Sequence, residues 1–175
     1  IHNGFVNTNK EKMSKSLGNF STLREIYQKF LPETLRYFLL TVHYRNPIDF
    51  SYQSLEEIEK VLSRFYDFFG AVEEIQNKTG LKPGKITPSY SNIFFKNFEE
   101  AMDDDFNTAL ALAHMNDKLR ELNSFLDNLR TKKDNKHWSV FCNETALLRK
   151  AAHLLGLFAL NPEEFRKAEQ EKKIR

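Results

Sequence analysis

The chain has 175 residues, enough for one ordinary domain or for one domain and part of another. Its 41% hydrophobic and 29% charged residues exclude a disordered chain, and a net charge of +2 does not by itself mark a nucleic-acid binder. Cys142 is the single cysteine, which excludes an internal disulfide and a paired-cysteine metal site; no signal peptide or apolar run of membrane length is visible, so a reducing cytoplasm fits.

The chain opens Ile1-His2-Asn3-Gly4-Phe5-Val6 without an initiator methionine and reads as a segment of something longer. Residues 2–8 resemble a strand end, and it leads into Lys12-Met13-Ser14-Lys15-Ser16, with Gly18 and Asn19 behind. Two ammonium groups, two hydroxyls and a glycine make a mobile cationic loop suited to gripping a polyphosphate as it leaves. Gly18 and Asn19 tolerate the backbone angles of a tight turn. A lysine-serine cluster is also what an ordinary solvated loop contains, so its surroundings decide.

Ser21 or Thr22 caps a short helix through Phe30, with Ile26 and Phe30 inward. Pro32 starts an apolar helix carrying Leu35-Arg36-Tyr37-Phe38-Leu39-Leu40, which is followed by His43-Tyr44-Arg45 and broken at Asn46-Pro47. The next helix begins at Ser51 or Ser54 and runs to about Lys78, with Leu55, Ile58, Leu62, Phe65, Phe69 and Val72 at three-four spacing. A loop is expected over 82–88. A further helix from Tyr90 to Met102 points Phe94, Phe95, Phe98 and Met102 inward and is closed by Asp103, Asp104 and Asp105. Asn107 or Thr108 caps the fourth bundle element, with Leu112, Met115, Leu119, Leu122, Leu126 and Leu129 as its stripe.

Residues 132–137 read as a solvated loop, and a helix over about 144–158 is expected to bury Leu147, Ala151, Leu154 and Phe158 before Asn161-Pro162 stops it. Residues 163–175 are charged and lack a full apolar face, as an exposed or unfinished helix would. Residues 54–160 therefore read as an antiparallel helix bundle, and the 16 phenylalanines fall mostly on its stripes. His114 and His153 lie on or beside apolar stripes as core or boundary residues, and Cys142 beside Trp138 and Phe141 reads as packed rather than reactive.

Four blocks carry a resemblance to a known family. Lys12-Met13-Ser14-Lys15-Ser16 is identical to the second signature loop of class I aminoacyl-tRNA synthetases. The segment from His2 to Val6, the Leu35 to Leu40 and His43 to Pro47 pair, and Ala101-Met102-Asp103-Asp104-Asp105-Phe106-Asn107-Thr108-Ala109 resemble cysteinyl-tRNA synthetases, in the family's order. The implied fold is mainly α. It consists of the end of a Rossmann-like catalytic domain with the loop (1–21), a stem-contact segment (22–53), a helical anticodon-binding bundle (54–162) and a charged end (163–175).

The resemblance implies a ligase that activates cysteine with ATP and magnesium and transfers it to the 3′ end of the cysteine tRNA. Lys15 would hold the leaving pyrophosphate, Lys12 would support it, and Met13, Ser14 and Ser16 would shape the ATP-binding loop. Arg36, His43 and Arg45 would either face the tRNA or fix the join between domains. The acidic run from Asp103 is expected to cap and turn the chain, since carboxylates repel a phosphate backbone. The family's His-Ile-Gly-His element and zinc ligands belong upstream of residue 1, so no metal site is expected in this chain, which alone is not expected to be active. A cytoplasmic monomer is implied. A cysteine ligase of the mycothiol pathway shares the catalytic resemblance, and a non-catalytic RNA-binding bundle is the remaining alternative.

Overall fold

A computed structural model describes residues 2–8, 11–14, 16, 18–80, 92–131 and 135–174. Lys15, Lys132, Lys133 and the expected 82–88 loop lie outside these residues. The described chain forms strands β1 (Val6–Thr8), β2 (Glu11–Lys12) and β3 (Ile48–Phe50) with helices α1 (Leu23–Lys29), α2 (Pro32–Leu40), α3 (Tyr52–Thr79), α4 (Ile93–Asp103), α5 (Thr108–Thr131), α6 (Asn135–Leu154) and α7 (Pro162–Ile174).

Local chemistry explains most helix starts. Thr22 and Glu25 form a reciprocal capping box on α1, and Pro32 opens α2, where its missing N–H is harmless. The Ser51, Asn92 and Asn107 side chains accept from Ser54, Phe95 and Leu110 N–H at 3.0, 3.1 and 3.2 Å, capping α3, α4 and α5. Gly80 ends α3 at φ 66°, a left-handed conformation in which a side chain would be strained.

The main core joins α3 to α7 and includes Leu62, Phe65, Phe69, Phe98, Met115, Leu122, Phe141 and Leu148, with Tyr37 contributed by α2. Leu112, Leu119 and Leu126 are buried on α5 as their spacing predicts, while Leu129 packs at the margin. A smaller core of Ile26, Phe30, Leu35, Phe38, Ile48, Phe50 and Leu55 holds α1 and α2 against the sheet. Lys118 on α5 is buried; its Nζ meets Glu144 Oε2 at 2.6 Å and Glu121 Oε1 at 3.0 Å. Asn92 donates to the same Glu144, so one polar cluster ties α4, α5 and α6.

Three expectations are corrected. First, α6 begins at Asn135 rather than near Glu144, inside the expected loop. Leu147 and Ala151 are buried as expected, together with Trp138, Phe141, Cys142, Thr145, Leu148 and Ala152, whereas Leu154 is 64% exposed. Thr145 is tolerated there because its hydroxyl donates to the Phe141 carbonyl at 2.9 Å. Second, Phe158 is buried but lies beyond the helix, at φ 57°. Third, Asn161-Pro162 starts a helix. Asn161 and Glu164 exchange backbone-to-side-chain bonds at 2.9 Å, and Pro162 takes the first helical position. The resulting α7 is docked, its buried Phe165 stacking on Tyr66 with centroids 3.9 Å apart.

His114 is half-buried, and His153 is exposed with Nε2 3.2 Å from the Phe158 carbonyl. Cys142 is buried, and burial pushes its thiol up from the ordinary range, the state of a packed rather than a nucleophilic cysteine.

Candidate functional site

The 12–16 loop hangs on a small sheet of order β2-β1-β3. β1 pairs antiparallel with β2, matching Asn7 with Lys12, and parallel with β3, matching Val6 with Ile48. The Met13 N–H donates to the Val6 carbonyl at 3.0 Å, while the Met13 side chain packs against the smaller core. The only apolar member of the lysine-serine run is thus its anchor, and Lys12 is left exposed to water.

Asn19 closes the loop. Its Oδ1 accepts from the Ser14 N–H at 2.9 Å and its Nδ2 donates to the Lys12 carbonyl at 3.4 Å. The Ser14 and Ser16 hydroxyls lie 3.2 Å apart, and Gly18 turns the chain at φ 65°. Lys12 Nζ sits over the Phe5 ring, 4.0 Å from its centroid. Lys15 lies between these described serines but is itself outside the described residues. Sequence reasoning anticipates the turn at Asn19 but misses the side-chain clamp and the Phe5 face. The signal for the clamp is an Asx residue closing a short polar loop.

Arg36 lies across Gly156, where an added Cβ would stand 3.0 Å from its guanidinium nitrogen. It borders a groove of about 580 Å³ walled by Tyr27, Leu31, Leu39, Ala159 and Leu160. Among the described residues no hydrogen bond or ion pair engages its guanidinium.

His43, Tyr44 and Arg45 converge instead on Asp105, at the corner between α4 and α5. Arg45 Nε lies 3.0 Å from Asp105 Oδ2 and donates to the Tyr44 hydroxyl at 2.9 Å, and Tyr44 donates to Asp105 Oδ1 at 2.8 Å. His43 Nε2 is 3.1 Å from the Asp105 carbonyl and its ring stacks on Tyr44. The Tyr44 bond, then the Asp105 charge, hold Arg45 still more firmly protonated than usual. Among the described residues no cluster of three or more His, Cys, Asp or Glu side chains could hold a metal ion, and Cys142 is shut in the bundle. No donor set described in this chain fits a zinc ion.

Comparison with known proteins agrees with this architecture. Residues 1–60 match the family described as tRNA synthetases class I (C) catalytic domain, and residues 97–159 match the DALR domain. LeuRS of Agrobacterium radiobacter K84, solved as a ternary complex with tRNA and LeuAMS, shares the fold at TM-score 0.62 and 20% identity, over 85% of this chain and 20% of its own. The chain is therefore built as part of a class I aminoacyl-tRNA synthetase.

Its relatives narrow the class. The cysteine–tRNA ligase of Syntrophotalea carbinolica is 44% identical over 93% of this chain and 33% of its own length. That of Nitratidesulfovibrio vulgaris Hildenborough is 38% identical over 100% of this chain and 37% of its own. The chain belongs to the cysteinyl-tRNA synthetase family and spans about a third of the length of these relatives.

Proposed function

We propose that this chain is the loop-bearing and helical part of a cysteine–tRNA ligase. In the reaction the cysteine carboxylate attacks the α-phosphorus of ATP, forming cysteinyl-adenylate and releasing pyrophosphate. A 3′-terminal ribose hydroxyl of the tRNA then takes the acyl group and releases AMP. The observation that carries the reading is the 12–16 loop, anchored by Met13 and closed by Asn19, with Lys12 and Ser16 exposed.

Negative charge builds on the pyrophosphate as it leaves, so a cation that tightens at that moment lowers the barrier rather than merely improving ATP binding. Lys15 has that role and Lys12 supports it. The Phe5 ring holds Lys12 beside the loop without neutralising it. Ser14 and Ser16 offer hydroxyls to phosphate oxygens, and magnesium would accompany the nucleotide. Any zinc ion would be held by residues outside this chain.

Residues 1–21 act as the end of the catalytic domain, 22–53 as the stem-contact segment, 54–162 as the anticodon-binding bundle and 163–175 as its charged end. Arg36, exposed and uncommitted among the described residues, is the candidate contact to the tRNA backbone. No helix among the described residues is long and apolar enough to cross a membrane; a cytoplasmic monomer remains part of the proposal.

The test is Lys15→Ala in the full-length ligase, read by cysteine-dependent ATP–pyrophosphate exchange. Loss of one transition-state contact of about 2–4 kcal/mol corresponds to a rate lower by roughly 30- to 900-fold. An unchanged rate rejects the role given to the loop.

A further inference from the structure

Two blocks that the loop chemistry leaves unused, the His43 to Arg45 run and the acidic corner after α4, meet in one hydrogen-bonded cluster. The cluster faces water: the side chains of Arg45, Asp105 and His43 are 64%, 41% and 22% exposed. Asp105 and Phe106 have φ of 52° and 56°, a left-handed pair that the surrounding bonds must hold. The Phe106 N–H donates to Met102 and the Asn107 N–H to Ala101, closing the end of α4. The Asp105 N–H donates to the Asp103 carbonyl at 3.0 Å, while the Asp105 carboxylate and carbonyl are engaged by the segment between α2 and β3.

That segment is also zipped to the strand carrying the loop. The Gly4 N–H donates to the Tyr44 carbonyl at 2.6 Å, and Ile48 N–H donates to the Phe5 carbonyl at 3.0 Å. The backbones approach so closely that a Cβ on Gly4 would lie 2.1 Å from the Asn46 carbonyl oxygen. From Gly4 the chain passes to Phe5, whose ring carries Lys12, and to Val6, whose carbonyl holds Met13. A continuous series of bonds therefore runs from the bundle corner to the loop.

We propose that Asp105 is a positioning residue for the 12–16 loop, acting through Tyr44 and Gly4. Its grip sets the segment from His43 to Asn46, which sets the register of β1, from which the loop hangs. The charges at the corner favour this role over an RNA contact. Arg45 turns its Nε and Nη2 to Tyr44 and Asp105, whose carboxylate offsets its charge, and Asp103 and Asp104 beside it would repel phosphate. Because the cluster is solvent-exposed, it can open without unfolding the bundle, so movement of the α4–α5 corner is transmitted to the loop as a change in how firmly β1 is held. The structural link stands on the contacts alone; its catalytic consequence rests on the proposed ligase reaction.

The link is tested on the 175-residue chain by amide hydrogen exchange in Asp105→Ala, Asp105→Asn and Tyr44→Phe. Peptides covering residues 2–19 should exchange roughly tenfold faster than in the wild type, while α3 and α6 stay unchanged. The Asn variant, which keeps an acceptor for Tyr44, should fall between wild type and Ala. Unchanged exchange at 2–19 in all three variants, or acceleration spread evenly over the chain, overturns the proposal. Should the Ala variant not fold, Tyr44→Phe carries the same reading.

In the full-length ligase, Tyr44→Phe should lower kcat of pyrophosphate exchange about tenfold with the KM for ATP unchanged, whereas Asp103→Asn leaves both alone. Equal loss in Asp103→Asn, or none in Tyr44→Phe, overturns the positioning role. A wild-type ligase lacking cysteine-dependent exchange would instead reject the functional reading, and the hydrogen-exchange result would still decide the structural link.

Discussion

Glu33 on α2 joins the loop-bearing part of the chain to the bundle, and its removal has a cost that follows from its contacts. Its Oε2 accepts from the Tyr66 hydroxyl on α3 at 2.7 Å, and its Oε1 accepts from the backbone N–H of Phe158. Tyr66 is only 1% exposed, and Phe158 is buried with φ 57°. Glu33→Ala leaves both donors without an acceptor, at about 1–3 kcal/mol each and about 2–6 kcal/mol together. Glu33→Gln keeps one carbonyl oxygen but turns a donor toward a donor, so about 1–3 kcal/mol is lost. Tyr66→Phe removes a single bond to a charged acceptor, about 1.5–3 kcal/mol.

The assay is urea unfolding followed by circular dichroism, and a 4 kcal/mol loss should also lower Tm by about 8–16 °C for a chain of this size. Because the bond is shared, the Glu33→Ala/Tyr66→Phe double variant should lose less than the sum of the two. A Glu33→Ala variant within about 0.5 kcal/mol of wild type, the range of ordinary surface substitutions, would refute the reasoning.

Gly4→Ala should destabilise the sheet, since its Cβ would meet the Asn46 carbonyl oxygen at 2.1 Å; about 1–3 kcal/mol of overpacking in urea unfolding is expected, and a neutral result would contradict the parallel pairing of β1 with β3. Stability should fall above about pH 10. Burial raises the ionisation of Cys142, Tyr37 and Tyr66, with the Glu33 bond adding at Tyr66, so the folded state keeps protons that the unfolded chain releases. Their stabilisation is intact below the unfolded values and is lost as pH rises toward the folded ones. Lys172, lowered by burial, acts in the opposite sense but is one group against three. A urea midpoint at pH 10.5 above that at pH 8 would reject this balance, and Tyr66→Phe should flatten the slope.

What the sequence alone determined was local. Three-four spacing marked the inward faces of α3, α4 and α5, because an amphipathic helix must repeat its apolar residues at the helical period. Thr22, Ser51 and Asn107 marked starts, because their side chains replace missing backbone partners. The run from Lys12 to Ser16 with its flanking blocks carried the family resemblance, since short polar loops keep their chemistry in residue type.

Tertiary structure decided the rest. A three-residue strand such as β3 has too few positions to show a period, and its partner β1 lies far away in sequence. The first half of α6 was hidden by Asn143, Glu144 and Thr145, which read as polar until the backbone partner of Thr145 and the ion pair of Glu144 are visible. α7 looked unsupported because a single large apolar side chain, Phe165, leads its docking, and only the fold brings Tyr66 beneath it. His43 and Arg45 were equally suited to RNA or to a domain join, because charge and aromaticity specify a kind of partner and not its location. The convergence of two distant segments on Asp105 supplied the partner that local pattern could not.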